Sequence, residues 1–286
     1  MTGTILITGC STGLGNLTAR YFAGRGWNVV ATMRVPPSDA AGEFPEGVLV
    51  HPLDVTDRAS IDAAIAAAVG RFGGLDAVVN NAGVSIVSIF ETTSQEAIRR
   101  VFDTNVHGVL NVTQAAIPHL RRRGGGAIVN VTSGVGFVAV PLLSLYVASK
   151  HAVEGFSESL GYELESQNIR VKLVEPGAMR ETSFSASTRD ATGRSPVPAA
   201  YKAYFDHALG AMIRYPFAAT PEQAVVETIY RAATDLTPRL RYPIGPDIDE
   251  YARLRWSTSE DEYRAAMASL TGQAVWREKG KPSPGA

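Results

Sequence analysis

Cysteine is almost missing from this chain. Cys10 is the only one in 286 residues, which excludes an internal disulfide and a zinc centre built on several cysteines, and fits a reducing compartment. Net charge is nearly missing too: the formal value is −1, so nothing electrostatic argues for a nucleic-acid or anionic-membrane partner. The one basic cluster, Arg121 to Arg123, reads as a solvated helix end. No apolar run approaches the roughly 18 residues that a membrane helix needs. The opening Met1-Thr2-Gly3-Thr4 also lacks the basic start of a secretory signal, so a cytoplasmic location is the expectation. His51, His107, His119, His151 and His207 form neither HExxH nor a carboxylate cluster, and no metal site is expected.

What is present points to a folded enzyme-sized unit. Hydrophobic residues make up 45% and charged residues 19%, a balance that supports a substantial core and a single domain over residues 1–286. Short β-branched runs at 4–8, 28–32, 47–51, 76–80, 127–132 and 170–175 alternate with longer helical patterns, including one from 94 to 124 and one from 144 to 167. Continuous apolar strands separated by helix-length segments indicate an α/β fold: a Rossmann-type doubly wound parallel sheet of about seven strands, with helices on both faces. The stretch 183–221, rich in Ser, Thr and Pro and then in aromatics, reads as a substrate-lid insertion after a strand end. Thr220 and Pro221 are expected to open the next helix, "RLRYPIG" to form the last strand, and 279–286 to be a frayed tail.

"TGCSTGLG", Thr8 to Gly15, follows the first strand and opens the first helix, the context that a dinucleotide-binding turn requires. Gly9, Gly13 and Gly15 allow a tight turn and a close backbone approach to pyrophosphate. With Ser11, Thr12 and Leu14 they are the candidate cradle, because a helix N-terminus offers free N–H groups to an anion. The second strand ends in Met33-Arg34, with no acidic side chain to accept hydrogen bonds from the ribose hydroxyls. An arginine there suits a 2′-phosphate, so NADP(H) is favoured over NAD(H), the other reading being that Arg34 is an ordinary solvated loop residue.

Tyr146 and Lys150 stand four residues apart and therefore share a helix face. Ser133 ends a strand, Asn105 lies in the preceding helical segment, and Asn80 to Gly83 end another strand on the cofactor side. In these motifs the chain resembles the short-chain dehydrogenase/reductases, over residues 3 to 180: TGxxxGxG, NNAG, a catalytic Asn and Ser, YxxxK, and a Pro-Gly after the sixth strand. The resemblance implies catalytic roles for Asn105, Ser133, Tyr146 and Lys150. It implies cofactor contacts at Asp54, Val55, Asn81, Ala82, Gly83, Pro176 and Gly177, and from Tyr146 and Lys150 themselves. One departure matters: where relatives often carry a threonine that holds the nicotinamide amide, this chain has Glu181 followed by Thr182. Either the loop shifts by one residue and Thr182 makes the contact, or the contact is made differently.

The implied chemistry makes physical sense. Free tyrosine, with a pKa of about 10, is ionised in roughly one molecule in a thousand at pH 7. An ammonium ~4 Å away at an effective dielectric near 20 is worth about 4 kcal/mol, nearly three pKa units before desolvation. Lys150 is thus expected to lower the pKa of Tyr146 and anchor the cofactor, Ser133 to donate to the developing oxyanion, and Asn105 to hold a water linking Lys150 to solvent. A ketone, aldehyde or alcohol is the expected substrate class. A lipophilic one (steroid, retinoid-like or fatty-chain carbonyl) follows from Phe184, Tyr201, Tyr204, Phe205, Met212, Tyr215 and Phe217, half of which are expected simply to pack the lid. By analogy a homodimer or homotetramer is expected, paired through the helices of Asn105 and Tyr146. Two alternatives stand beside this: an epimerase or dehydratase on the same fold, against which the short glycine spacing argues, and a non-enzymatic NADP(H) redox sensor, which has no use for Ser133, Tyr146 and Lys150 together.

Overall fold

The computed structural model describes residues 3–37, 44–179 and 196–279. Seven strands form one sheet: β1 (Thr4–Ile7), β2 (Asn28–Met33), β3 (Leu49–Pro52), β4 (Ala77–Asn80), β5 (Gly126–Val131), β6 (Ile169–Pro176) and β7 (Arg241–Ile244). Their order is β3-β2-β1-β4-β5-β6-β7, and every neighbouring pair is parallel. The expected doubly wound sheet is therefore the one observed. Pro52, which cannot donate to a ladder, closes an edge strand, where its missing N–H does least harm.

Apolar residues at consecutive positions are explained by helices on both faces. Ile5 and Ile7 turn toward α1 (Gly13–Ala23) and the helix Glu222–Thr234, whereas Leu6 between them turns toward α2 (Arg58–Phe72), α4 (Gly108–Arg122) and α5 (Ser144–Glu165). Burying each such side chain stabilises the fold by about 1.5–3 kcal/mol. The remaining helices are α3 (Gln95–Phe102), α6 (Ala199–Ile213), α7 (Glu222–Thr234), α8 (Pro246–Ser257), α9 (Glu260–Leu270) and α10 (Gln273–Lys279).

Sheet order puts the site where chemistry can reach it. β2 and β3 lie on one side of β1 and β4 onward on the other, so the connections leaving the C-terminal ends of β1 and β4 run apart and open a crevice.

Three expectations need correction. The helical stretch from 94 to 124 is interrupted by a π-helical turn, Asp103–His107, a widening found often at functional sites. The seventh helix begins at Glu222 with Pro221, not Thr220, at its N-cap, and no side chain caps it. Thr220 instead turns inward, its hydroxyl buried. Beyond β7 the sequence reading anticipated no helix, yet α8, α9 and α10 follow. The signals were present: Pro246 in the first turn of α8, and a capping box between Ser259 and Glu262 at α9. Of the expected lid only 196–221, and of the tail only Lys279, fall within the described residues.

Candidate active site

The glycine-rich turn is held by its own backbone and by the end of β4. Gly9 and Gly13 adopt φ of +74° and +55°, the left-handed region that glycine enters without strain. A Cβ on Gly9 would lie 2.9 Å from the Ala82 Cα, and one on Gly15 would lie 2.2 Å from the Gly9 carbonyl oxygen. The Thr8 hydroxyl accepts from the N–H groups of Asn81 and Ala82 at 3.0 and 3.1 Å, and the Asn81 amide donates to the Thr8 carbonyl at 2.9 Å. Helix α1 has no side-chain cap and no acid in its first turn, so its N-terminal field is directed at whatever anion occupies the turn. Cys10 is buried, and burial pushes its thiol up to about 12, which makes it inert at neutral pH.

A cleft of about 1370 Å³ runs along this face. Gly9, Ser11, Thr12, Leu14 and Gly15 line it, as do Arg34, Asp54 and Val55 at the β2–β3 end and Asn81, Ala82 and Gly83 after β4. Ser133, Tyr146, Lys150, Pro176 and Gly177 line it as well. Gly13 shapes the turn from behind and is not in the wall, and neither is Asn105. Thr182, like Glu181 and Phe184, lies outside the described residues.

Tyr146 and Lys150 face the cleft one turn apart on α5, and the Tyr146 hydroxyl is hydrogen-bonded to Ser133 at the end of β5. The electrostatics differ from the expected pairing. Lys150 Nζ donates to the Val131 carbonyl at 2.9 Å and stands 5.6 Å from the centre of the Tyr146 ring. Burial pushes the Tyr146 hydroxyl well above its ordinary value, and the hydrogen bond from Ser133 pulls it back. Burial also lowers Lys150 to about 8, with the Glu154 carboxylate opposing the shift. Desolvation therefore outweighs the attraction between ammonium and phenolate that the spacing suggested.

Asn105 sits in the π-helical turn, 1% exposed. Its side chain accepts from the Val84 N–H and donates to the Val84 carbonyl, both at 2.8 Å, and donates to the Ser149 hydroxyl at 3.0 Å. It thus ties the loop after β4 to the residue before Lys150. Truncation to alanine strands both Val84 groups, so Asn105→Ala is expected to lose about 2 kcal/mol in urea unfolding; an unchanged midpoint would show that these bonds are replaced by water.

The far wall is apolar, supplied by Val84, Val87, Leu143, Leu209, Met212 and Ile213 among others. Of the aromatic residues picked from the sequence, Tyr215 lines the cleft, Phe205 is buried with Val87 and Ile89, and Phe217 packs on Tyr215 and Tyr251. Tyr201 and Tyr204 line a separate cavity of about 500 Å³. Residues that the sequence did not announce complete the wall: Asp247, Ile248, Tyr251, Leu270 and Thr271. Asp247 is buried and accepts from the Ala178 N–H at 3.0 Å and the Tyr215 hydroxyl at 3.3 Å, and Tyr215 is hydrogen-bonded to Tyr251. A Cβ on Gly177 would lie 1.9 Å from Asp247 Oδ1, which explains the glycine after Pro176. Among the described residues no group of His, Cys, Asp and Glu could hold a metal, and no helix is long and apolar enough to cross a membrane.

Comparison with known proteins agrees with this geometry. A family model described as short chain dehydrogenase matches residues 3–193. The uncharacterized oxidoreductase YusZ of Bacillus subtilis is 37% identical over 251 residues, covering 85% of this chain and 89% of that protein. Among solved structures, a short-chain dehydrogenase from Streptomyces avermitilis superposes with a TM-score of 0.77 at 29% identity, covering 98% of both chains. A 3-ketoacyl-(acyl-carrier-protein) reductase from Brucella melitensis complexed with NADH gives 0.70 at 26% identity, over 84% of this chain and 96% of that one. ElxO with NADP bound gives 0.73 at 25% identity, over 87% and 100%.

Proposed function

The chain belongs to the short-chain dehydrogenase/reductase family, and from that premise we propose that it is an NADP(H)-dependent oxidoreductase interconverting a ketone or aldehyde with its alcohol. One observation carries the reading: Ser133 is hydrogen-bonded to Tyr146, which stands one helical turn from Lys150, and all three open onto the same cleft as the glycine cradle. A nicotinamide dinucleotide suits the lining: the cleft of about 1370 Å³ begins at the uncapped, acid-free N-terminus of α1, which would receive the pyrophosphate. When bound, it supplies or takes the hydride. Ser11, Thr12 and Gly15 would hold its pyrophosphate at the α1 N-terminus, Arg34, Asp54 and Val55 the adenosine end, and Ala82, Gly83, Pro176 and Gly177 the opposite end.

In the reducing direction Tyr146 gives its proton to the carbonyl oxygen while Ser133 donates a hydrogen bond to the same atom. Burial keeps Tyr146 protonated and thus suited to the acid role. The Lys150 ammonium offsets the charge left on the phenolate. Lys150 titrates at about 8, so the reduction rate is expected to fall above that pH as the ammonium is lost. The apolar wall, to which Leu209, Met212, Ile213 and Tyr215 contribute, supports a lipophilic substrate. Assembly as a homodimer or homotetramer belongs to the same reading and is measured by light scattering.

Arg34 is exposed at the rim of the cleft, and a charge-assisted bond to a 2′-phosphate is worth about 1.5–3 kcal/mol. Arg34→Ala is therefore expected to lower kcat/KM with NADPH by roughly 10- to 100-fold and to leave NADH nearly unaffected. Equal losses with both cofactors would remove Arg34 from phosphate recognition. The activity itself is tested by a carbonyl and alcohol panel followed at the reduced-nicotinamide absorbance with both cofactors.

A further inference from the structure

Behind the wall formed by Ser133, Tyr146 and Lys150 lies a second set of ionisable groups that the proposed reaction does not use. Glu154 comes one turn after Lys150 on α5, just as Lys150 follows Tyr146, and is 5% exposed; Glu175, immediately before Pro176 on β6, is 0% exposed. The two carboxyl groups lie against the same guanidinium, that of Arg241, and neither oxygen of Glu175 has an aligned hydrogen-bond partner. Glu154 Oε1 also accepts from the hydroxyl of Thr132, the neighbour of Ser133, at 2.5 Å. The absence of a side chain at Gly136 makes the room: a Cβ there would sit 2.9 Å from the Glu154 Cγ.

Arg241 of β7 closes the outer side. Its Nη2 lies 3.2 Å from Glu154 Oε2 and 3.3 Å from Glu158 Oε2, and its Nε lies 3.3 Å from Glu175 Oε1. The contacts to the buried pair have ion-pair distance without hydrogen-bond alignment. One guanidinium cannot offset two buried carboxylates gathered around it, and two neighbouring buried carboxyl groups repel unless one of them carries a proton. Burial and repulsion from Glu154 raise Glu175 to about 9, whereas Glu154, also raised by burial, is held down by Thr132, Arg241 and Lys150. Both carboxyls are thus pushed toward the neutral form, and the partners that hold Glu154 down favour Glu175 as the proton's side and Glu154 as the charged one. The other charged groups facing the pair are Lys150 and Glu158 from α5 and Arg239 and Arg241 from the β7 side, while α8 contributes the uncharged Trp256 ring, 6.0 Å from the Arg241 guanidinium.

We propose, resting on the role given to Lys150 above, that Glu154 and Glu175 are positioning residues: they share one proton, and the single negative charge left on Glu154 keeps Lys150 an ammonium beside Tyr146.

Two measurements read the shared proton without turnover. The folded protein holds on Glu175, up to about 9, a proton that an ordinary carboxyl releases near 4.5. This contribution to stability is fully present below the lower value and is lost as pH rises toward the upper one. The Tm of Glu175→Gln relative to the unaltered protein should therefore climb between pH about 5 and about 9 and then level off. In the unaltered protein itself, infrared spectra should show a protonated-carboxyl band at neutral pH that vanishes on titration into the alkaline range. A Tm difference flat across that window, or no such band, overturns the shared proton.

The link to Lys150 is read by competitive labelling with an amine-reactive reagent, quantified by mass spectrometry. Glu154→Gln should move the Lys150 midpoint down by about one pH unit, and the alkaline limb of turnover should move with it. Glu175→Gln, which leaves the charge on Glu154, should shift the midpoint far less. Identical midpoints in Glu154→Gln and the unaltered protein overturn the link. Failure of the carbonyl panel would sink the proposed reaction while leaving the labelling and infrared results to decide the fate of the carboxyl pair.

Discussion

Turnover of Tyr146→Phe is expected to fall by about 10³-fold, the scale of a lost general acid, with NADPH affinity within roughly twofold of the unaltered protein. The substitution removes one oxygen from a buried ring that is otherwise kept in place, so the cleft keeps its shape. What disappears is the hydroxyl that is hydrogen-bonded to Ser133 and belongs to the ring one turn from Lys150. Fluorescence titration with NADPH beside steady-state reduction separates the two quantities. Turnover unchanged within error would mean that another group protonates the carbonyl oxygen, and a parallel loss of binding would mean that the phenol holds cofactor rather than moving a proton. The same variant tests the sensor alternative, in which binding continues and there was never turnover to lose.

Gly15→Ala is expected to be severely damaging for a single added methyl. The new Cβ would stand 2.2 Å from the Gly9 carbonyl oxygen and 2.6 Å from the Asn81 amide nitrogen. The oxygen is backbone, and the Asn81 amide is committed to the Thr8 and Gly9 carbonyls, so neither can yield without opening the turn. A loss of about 3 kcal/mol in urea unfolding is expected, with dinucleotide binding weakened at least tenfold. Gly155→Ala on α5 is the matched control, because nothing lies within 4 Å of its Cβ position. It should stabilise the helix by about 0.5–1 kcal/mol through reduced chain entropy. If the two variants unfold alike, the close approach of Gly9 and Gly15 is not what holds the turn.

Much of the site could be read before any coordinate, because its parts are local. The glycine turn is a backbone requirement expressed within eight residues, Thr8 to Gly15, and the strand before it and helix after it were visible in the change from apolar run to helical spacing. Tyr146 and Lys150 share a face because four residues make about one turn. Even the end of β2, where Met33 and Arg34 stand, was legible, since strand length alone locates it. Reading failed where a side chain's role depends on a distant partner. The bonds that tie the Asn105 side chain to Val84 and Ser149 join segments distant in the chain and could not be anticipated. Thr220 looked like a helix cap and is buried near Gly177 and Asp247. The wall built by α8 and α9 was missed because its residues belong to the cleft only through folding back over it.

By itself the sequence determined the strands, their parallel doubly wound arrangement, the dinucleotide turn and the stripe of Tyr146 and Lys150, since each follows from spacing along one segment. Tertiary structure alone decided the charges. Glu154, Glu175 and Arg241 come from a helix and two strands far apart in the chain, and the direction in which Tyr146 and Lys150 shift depends on how deeply packing buries them. Desolvation and Coulomb energies are functions of distance and exposure in space, and neither quantity is written in the order of the residues.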